Sequence, residues 1–358
     1  MQKILILQKN EIYIKRCLEL ARNGQGNVSP NPMVAAVVVC EDKIIGEGFH
    51  QKFGDAHAEV NAINSVKDNS LLCKSTIYVS LEPCSHFGKT PPCADLIIKS
   101  KIREVVIGSQ DPNPIVAGKG IEKLKNAGID VIANVLQADC EFLNRRFYTF
   151  HRKKRPYIIL KWAESANGFI DIKRSSSKQT PIWFTDNYGK TLVHKWRSEE
   201  DAILLGKNSV ILDNPQLTTR NYFGKNPIRI VITKNNFLDK NYYIFDSQAQ
   251  TIIFNSEKNE VIFNVNYVKI DFNEDLITQI LQQLYSLNIN SLIVEGGSFT
   301  LNSFIKQNLW VEARVFTSNL TLNNGVKSPE FCFIPSDIKQ INNYFLKTYY
   351  NDFNRRNE

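Results

Sequence analysis

The chain of 358 residues lacks several features that would place it in a special class of protein. No stretch approaches the ~18 consecutive apolar residues that a membrane-spanning helix requires. Only 17 Gly and 13 Pro occur, which excludes a collagen-like or linker composition. The chain begins with a short apolar run and no small-residue cleavage site, so its start does not resemble a secretory signal. These absences predict a globular protein located in the cytoplasm.

The overall composition is that of an ordinary soluble protein. Hydrophobic residues make up 43% of the chain and charged residues 22%, which excludes wholesale disorder. At about 100–200 residues per domain, the length predicts two domains, or at most three. The net charge of +8 is spread along the chain, which suits an anionic small substrate better than nucleic acid. One dense basic run, residues 151–156, is interpreted as a solvated linker, with contact to a phosphate-bearing partner as the alternative.

The chain contains seven cysteines, an odd number, and they are scattered along its length. This argues against a disulfide framework. Five of them have apolar neighbours and are expected to be small core residues; they are Cys17, Cys40, Cys73, Cys140 and Cys332. The remaining two, Cys84 and Cys93, belong to a motif that is considered separately below.

Helix and strand patterns alternate in two regions on either side of residues 151–156. In the first region, a helix over 11–22, a hairpin over 34–49 and further alternating elements predict a mixed sheet with helices on both faces. The second region repeats the alternation with strands and helices of its own. The sequence therefore predicts an α/β protein with domains 1–150 and 156–350. The last twenty or so residues are interpreted as a weakly specified edge or tail.

The sharpest pattern in the sequence combines one histidine with two cysteines. His57 and Glu59 frame a His-Ala-Glu triplet, and Cys84 and Cys93 follow across one predicted strand. One imidazole and two thiolates leave the fourth tetrahedral position open for water, as in a catalytic zinc site. Cys93 opens a predicted helix, whose N-terminus favours the thiolate. Glu59 is placed to carry a proton without itself coordinating the metal.

Each part of this pattern is uninformative alone. A His-x-Glu triplet is usually a turn of a surface helix, and two cysteines at this separation are usually core or loop residues. Together they match the zinc-deaminase signature, except that eight residues lie between Cys84 and Cys93 where the signature has two. A structural zinc would need a fourth protein ligand, for which His86 is the candidate. A nucleic-acid-binding module with a structural zinc is therefore one alternative, and it would bind RNA with a strong salt dependence.

The segments around these residues resemble the pyrimidine deaminase of riboflavin biosynthesis. That enzyme is the deaminase half of a bifunctional deaminase/reductase within the cytidine deaminase-like superfamily. The eight residues between Cys84 and Cys93 are specific to this resemblance, because tRNA and cytidine deaminases resemble the pattern with only two residues between the cysteines. The supporting segments are residues 29–34, 48–54 and 110–114.

The resemblance also implies the roles of individual residues in the first domain. His57, Cys84 and Cys93 would bind zinc, and Glu59 would be the catalytic proton donor. The substrate side would be lined by Asn31, His50, His86 and Lys89. The family usually has Arg in place of Lys89, which keeps the charge but loses the bidentate fork.

Residues 156–320 resemble the reductase half of the same family, whose fold is similar to dihydrofolate reductase. The resembling segments follow in order at 160–168, 182–185, 194–197, 201–220 and 294–298. The last of them ends a predicted strand and opens a helix, so its backbone N–H groups would point at a bound phosphate. The G-x-G-x-x-G fingerprint of other dinucleotide-binding proteins does not occur.

The resemblance implies two sets of contacts in the second domain. NADPH would be contacted by Ala163, Trp183, Ser209, Asp213, Gly297, Ser298, Phe299, Thr300, Leu301, Asn302 and Ser303. The substrate would be contacted by Arg197, Leu217, Arg220 and Glu295, and the two arginines suit its phosphate. Three positions depart from the family: Asn167 replaces the usual Asp, Lys190 a common Arg, and Pro181 a common substrate-contacting Ser. Pro181 removes a hydroxyl and a backbone donor, which puts that one contact in question.

The sequence as a whole predicts a bifunctional enzyme of riboflavin synthesis that uses one Zn²⁺ per chain and NADPH. The first domain would hydrolyse the exocyclic 2-amino group of 2,5-diamino-6-ribosylamino-4(3H)-pyrimidinone 5′-phosphate. The second would reduce the ribosyl group to ribityl with hydride from NADPH. The expected partner is this phosphorylated pyrimidine rather than nucleic acid or a membrane, and a homo-oligomer is compatible with the sequence. The other alternative is a tRNA or nucleotide deaminase with an appended α/β domain.

Overall fold

A computed structural model describes residues 2–87, 91–235 and 237–351, with side chains from Gln8 onward. The chain divides into two compact units, Met1–Lys154 and Arg155–Glu358. Each unit has its own sheet and its own hydrophobic core. Among the described residues, no helix combines the length and apolar character that crossing a membrane demands.

The first unit is built around a five-stranded mixed sheet of order β2-β1-β3-β4-β5. Strands β1 and β2 are antiparallel, β1 and β3 are antiparallel, and β3, β4 and β5 are parallel. Its elements are α1 (Gln2–Ala21), β1 (Ala35–Cys40), β2 (Lys43–Phe49), α2 (Ala58–Asn64), β3 (Thr76–Leu81), α3 (Cys93–Lys99), β4 (Glu104–Ser109), α4 (Lys119–Asn126), β5 (Asp130–Ile132), α5 (Gln137–Leu143) and α6 (Arg145–Lys153).

The central strand β1 shows why this sheet has helices on both faces. All six of its residues are buried, which a strand covered on both sides requires. Because side chains alternate along a strand, Ala36 and Val38 join the core that includes α2 and α3. Val37 and Val39 join the opposite core, which α1 and α5 cover. The first unit thus contains the predicted mixed sheet between two helical layers.

The second unit contains a ten-stranded sheet of order β11-β12-β10-β9-β8-β13-β6-β14-β17-β16 and a two-stranded sheet of β7 and β15. Its elements are β6 (Tyr157–Glu164), β7 (Phe169–Asp171), α7 (Asn187–Glu199), β8 (Ala202–Gly206), α8 (Lys207–Asp213), β9 (Ile228–Ile232), β10 (Thr251–Asn255), β11 (Glu260–Ile262), β12 (Val265–Lys269), α9 (Leu276–Ser286), β13 (Ser291–Val294), α10 (Ser298–Lys306), β14 (Glu312–Ser318), β15 (Val326–Lys327), β16 (Asp337–Ile341) and β17 (Tyr344–Tyr350).

The centre of this large sheet is parallel, and the parallel strands place their carboxyl ends at one edge. β8, β13, β6 and β14 are neighbours with parallel pairing. Gly206 ends β8, Glu295 follows β13, and Ala163 lies near the end of β6. In open α/β sheets, ligands bind in the crevice beyond these strand ends.

Two sequence interpretations are wrong in their local structure. The basic run that was interpreted as a linker begins inside a helix, because α6 continues to Lys153. Cationic residues in the last turn of a helix complement its dipole, so this run is compatible with a helix end. Residues 337–350 are an edge of the sheet and not a tail, since β16 and β17 form a hairpin and β17 pairs with β14 along its whole length. Tyr344 and Leu346 are buried there, at the two-residue spacing of a strand.

The cysteine prediction is correct for three residues and wrong for one. Cys17, Cys40 and Cys140 are buried, whereas Cys332 is exposed and Cys73 is partly exposed. All seven cysteines are free of disulfide bonds, as the sequence predicted.

Candidate active sites

The fold brings the three predicted zinc ligands of the first unit to one place. His57 is the residue that caps the start of α2, and Cys93 is the first residue of α3. Cys84 lies three residues beyond the end of β3. Two helix starts and one strand end therefore supply the ligands.

The distances within this group fit a zinc ion. His57 Nδ1 lies 3.6 Å from Cys84 Sγ and 3.3 Å from Cys93 Sγ. Zinc bonds of about 2.3 Å to sulfur and about 2.0 Å to nitrogen, at tetrahedral angles, place such atoms about 3.5 Å apart. In the described part of the chain, this is the one group of three or more His, Cys and carboxylate side chains that could hold a metal.

The surroundings of Cys84 favour its ionised form, which is the form that binds metal. The backbone N–H of Cys93, at the start of α3, donates a hydrogen bond to Cys84 Sγ at 3.3 Å. Hydrogen bonding from the Cys93 side chain, supported by His57 and opposed by burial, lowers the pKa of Cys84.

Glu59 lies in the first turn of α2, beside the ligands but not among them. It is 3% exposed, and burial is the main reason that its pKa rises to about 7, with the charge of Cys84 second. The structure thus provides a buried carboxyl group next to three metal ligands.

The predicted substrate residues of the first unit are placed unequally. His50 is buried, and its ring lies edge-on to that of His57 with 5.6 Å between centroids. Its Nδ1 lies 3.1 Å from the Ala56 carbonyl oxygen and its Nε2 lies 3.1 Å from Asn31 Nδ2. A neutral ring protonated on Nδ1 satisfies both contacts, since it donates to the carbonyl and accepts from the amide.

His86 and Lys89 are not brought into this arrangement. His86 is exposed and does not belong to the metal-holding group, so it does not act as a fourth ligand. Lys89 lies outside the described residues. The fourth position of a tetrahedral metal is therefore not filled by a protein ligand from the described ranges, as a catalytic site requires.

Glu82, which sequence reasoning missed, organises the chain next to Cys84. Its buried carboxylate accepts hydrogen bonds from four backbone N–H groups. The donors are Asp111 at 3.3 Å, Gly118 at 3.0 Å, Gly120 at 2.9 Å and Ile121 at 3.2 Å. Gly120 has no room for a side chain, because a Cβ atom would lie 2.0 Å from the Pro83 carbonyl oxygen. Glu82 thereby ties the start of α4 to the segment that carries Cys84.

The second unit has a cavity of about 700 Å³ at the carboxyl ends of its central strands. This volume is in the usual range of small-molecule and cofactor sites. Most of the predicted contact residues of the second domain line it. They are Ala163, Trp183, Arg197, Ser209, Asp213, Leu217, Glu295, Gly297, Ser298, Phe299, Thr300 and Ser303.

Three predicted contact residues do not line this cavity. Leu301 is fully buried in the core beneath α10. The Asn302 amide donates to Ser298 Oγ at 3.3 Å, and its oxygen accepts from the backbone N–H of Glu330. Arg220 is exposed and lines a separate, shallower depression. Their roles as ligand contacts remain predictions from the resemblance.

Glu295 and two cations form the polar centre of the cavity. Arg197 Nη2 lies 2.9 Å from Glu295 Oε2, and Lys161 Nζ lies 3.5 Å from Oε1. Burial acts to raise the pKa of Glu295, but the charges of Arg197 and then Lys161 outweigh it and lower the pKa to about 2. Glu295 is therefore an ionised acceptor held between two donors.

The start of α10 gives the cavity a second polar feature. Gly297 precedes the helix without a side chain that could cap its first N–H groups. Gly296 is required by close packing, because a Cβ atom there would lie 2.6 Å from Thr300 Cβ. Free N–H groups and the helix dipole at this end attract phosphate. The cavity therefore fits a phosphorylated cofactor such as NADPH.

Two charged residues of the cavity, Asp171 and Arg174, were missed by sequence reasoning. Asp171 is the last residue of β7 and Arg174 lies three residues beyond it, where the sequence shows only a polar stretch without periodicity. Arg174 forms ion pairs with Asp171 at 2.7 Å and with Asp213 at 2.5 Å. Both residues fall between the two predicted reductase segments 160–168 and 182–185, so no motif of the sequence pointed to them.

Comparisons with known proteins match one family model to each part of the chain. The cytidine and deoxycytidylate deaminase zinc-binding region matches residues 7–109, and the RibD C-terminal domain matches residues 156–325. The fold and the sites thus define a two-domain enzyme with a zinc-binding deaminase domain and a reductase domain.

Complete relatives align with nearly the whole chain. The diaminohydroxyphosphoribosylaminopyrimidine deaminase/5-amino-6-(5-phosphoribosylamino)uracil reductase of Thermotoga maritima is 37% identical, with a TM-score of 0.86 over 96% of this chain and 98% of that one. RibD of Acinetobacter baumannii is 28% identical, with a TM-score of 0.86 over 96% and 99%. The riboflavin biosynthesis protein RibD of Aquifex aeolicus is 38% identical over 330 residues, 90% of each chain. This chain belongs to the RibD family of riboflavin biosynthesis proteins.

Family membership confirms the predicted fold class, with a cytidine deaminase-like unit followed by a dihydrofolate reductase-like unit. It also confirms a bifunctional deaminase and reductase of riboflavin biosynthesis that uses Zn²⁺ and NADPH. The tRNA or nucleotide deaminase and the nucleic-acid-binding module are less well supported, because neither explains the second matched domain.

Proposed function

We propose that the first unit, over the predicted domain 1–150, hydrolyses the 2-amino group of 2,5-diamino-6-ribosylamino-4(3H)-pyrimidinone 5′-phosphate. The second unit, over the predicted domain 156–350, then reduces the ribosyl group of the product to ribityl. One observation supports this division of labour: the first compact unit contains the metal-holding group and the second contains the polar cavity.

In the first unit, His57 Nδ1 and the sulfurs of Cys84 and Cys93 hold the zinc ion. Zinc, when bound, supplies a Lewis acid that makes a water molecule nucleophilic at neutral pH. Glu59 accepts a proton from the attacking water and delivers it to the leaving amino group, so that ammonia departs. Its burial beside the ligands keeps bulk water from exchanging that proton.

The pair of His50 and Asn31 orients the pyrimidine. Burial lowers the pKa of His50, so its ring stays neutral and keeps its hydrogen bonds to the Ala56 carbonyl and the Asn31 amide. A ring fixed in this way holds the Asn31 amide in one orientation, because Nε2 accepts from Asn31 Nδ2. Positioning of this kind contributes to rate because the reacting atoms are already aligned.

In the second unit, the start of α10 and the side chains of Ser209 and Asp213 bind NADPH, which supplies the hydride. Glu295, ionised between Arg197 and Lys161, accepts hydrogen bonds from the hydroxyl groups of the substrate. The two cations exceed its charge by one, and this net positive charge attracts the substrate phosphate. Phosphate recognition by guanidinium is strong because two parallel hydrogen bonds form.

Product masses test the proposal directly. The zinc-loaded protein is incubated with the aminopyrimidine substrate, with and without NADPH. Without NADPH, the expected product has one amino group replaced by oxygen; with NADPH, it also gains two hydrogens. Unchanged substrate in both samples, from protein that carries its zinc, would contradict the proposed function.

A further inference from the structure

The segment 172–182 contributes Arg174 and Ile182 to the lining of the cavity in the second unit and is folded around one carboxylate. Asp171, the last residue of β7, accepts hydrogen bonds at Oδ1 from the backbone N–H groups of Ile172 at 2.9 Å and Ile182 at 3.2 Å. Within the segment, the Ser175 N–H donates to Gln179 Oε1 at 2.7 Å. Both ends of the segment are therefore held by one oxygen atom, as in the compact surface loops that often carry function.

Arg174 connects this segment to the end of α8, which also lines the cavity. Its Nε donates to Asp171 Oδ2 at 2.7 Å, and its Nη2 donates to Asp213 Oδ1 at 2.5 Å. Its Nη1 donates to the Leu212 carbonyl oxygen at 3.2 Å, at the end of α8. The Arg174 side chain is 5% exposed, whereas that of Asp213 is 37% exposed. The guanidinium is thus buried, and the carboxylate it holds faces the cavity.

The charges at this point select the kind of group that can bind. Two carboxylates surround one guanidinium, so Asp171, Arg174 and Asp213 together carry a negative charge and repel phosphate. Asp213 Oδ2 accepts no hydrogen bond from residues in the described ranges, and carboxylate oxygens accept from hydroxyl and amide groups. Ribose hydroxyls and the nicotinamide amide are the groups of this kind in NADPH.

We propose that Arg174 is a positioning residue of the NADPH site, which acts through Asp213. It fixes Asp213 so that Oδ2 meets a hydroxyl or amide hydrogen of the cofactor, and it joins segment 172–182 to the end of α8. The planar fork of arginine can bridge two carboxylates and a carbonyl at once, which a lysine cannot do. This inference depends on the proposed function, because that function assigns the cavity to NADPH.

The test measures NADPH binding to the full-length, zinc-loaded protein by calorimetry, without substrate. Arg174→Gln should raise the NADPH dissociation constant about ten- to a hundredfold, the range for one lost charge-assisted hydrogen bond. Arg174→Lys should recover part of this loss, since it keeps the charge without the fork. The deamination rate of both variants should stay unchanged, which would show that their first unit is folded.

A double-mutant cycle separates positioning from general packing. In an Asp213→Asn background, Arg174→Gln should have little further effect on NADPH binding, because Arg174 acts through the Asp213 carboxylate, which this background lacks. The matched control is Arg229→Lys, which weakens another buried arginine–aspartate pair of the same unit, Arg229 with Asp246, outside the cavity. It should lower the melting temperature and leave the NADPH dissociation constant as it was.

The outcomes distinguish this inference from the proposed function. If the wild type binds NADPH and the dissociation constant of Arg174→Gln lies within about twofold of the wild-type value, the role of Arg174 alone is overturned, because an increase of at least about tenfold is expected. Additive effects in the double-mutant cycle would overturn it as well. A wild-type protein that binds no NADPH would overturn both proposals. If Arg174→Gln does not fold, the dissociation constant of Arg174→Lys decides, and an unchanged value counts against the inference.

Discussion

The metal site of the first unit and the cavity of the second unit are built in different ways. The metal site depends on three ligand atoms within 4.8 Å of one another, each from a residue type that zinc requires. The cavity instead gathers side chains and backbone N–H groups from strand ends, two helix starts and a loop. The metal site therefore tolerates almost no substitution of its ligands, whereas the cavity distributes its binding energy over many groups. Damage to one residue should therefore be total in the first unit and graded in the second.

The largest effect is expected from loss of a zinc ligand. Cys84→Ser or Cys93→Ser should abolish zinc binding and deamination, because each thiolate is one of three protein ligands. Metal content by atomic emission and the rate of ammonia release check this. Full zinc content in both variants would show that the metal is bound elsewhere.

Glu59→Gln should keep the zinc and still lose deamination about 10²–10⁴-fold, the usual worth of general acid–base catalysis. The amide can occupy the same space but cannot carry the proton. Ammonia release at matched metal content is the measurement. A loss below about tenfold would assign the proton transfer to another residue.

A graded effect is expected at the arginines of the second unit. Arg197→Lys should raise the substrate Michaelis constant about ten- to a hundredfold, since the cavity places Arg197 beside Glu295. Arg220→Lys should have the smaller effect, because Arg220 lies outside the cavity. Steady-state reduction of the deaminated substrate compares the two, and the reverse order would contradict the placement.

The last effect concerns stability against acid rather than activity. Burial, and then the charges of Arg197 and Arg220, lower the pKa of His194 to about 4 from its ordinary 6.5. The unfolded chain therefore takes up a proton first, and the stability that the neutral ring contributes is present above pH 6.5. It is lost as the pH falls from 6.5 towards 4, with a slope of up to about 1.4 kcal/mol per pH unit.

His194→Gln should remove this part of the acid sensitivity of the second unit. Denaturant unfolding of the wild type and the variant over that pH range gives the difference in slope. Parallel curves would show that His194 does not titrate differently in the folded and unfolded states.

The contrast between the sites also explains what could be predicted from the sequence. The zinc ligands could be predicted because metal binding requires particular residue types. The sequence also predicts a helix that begins at Cys93. Arg174 was missed because its partner Asp213 lies 39 residues away, and no local pattern reveals such a contact. Glu82 was missed for a related reason, since its partners are backbone N–H groups that any residue offers.

The same reasoning applies to the fold. Continuous apolar runs such as that of β1 predicted buried strands, because a strand covered on both faces leaves no polar position. The hairpin of β16 and β17 was overlooked because its outer strand is almost entirely exposed and carries little apolar signal. Pairing with β14 decides its structure, and that pairing is a tertiary contact.

The central claim is that each unit owns one reaction, and it can be tested by a single comparison of rates. The deaminated pyrimidine and NADPH are supplied to zinc-loaded Glu59→Gln protein, and NADPH oxidation is followed by its absorbance. The account predicts the wild-type rate of reduction, because Glu59 belongs to the metal site of the first unit and not to the cavity of the second. A well-folded Glu59→Gln protein that fails to reduce this substrate would contradict the account and indicate one composite site.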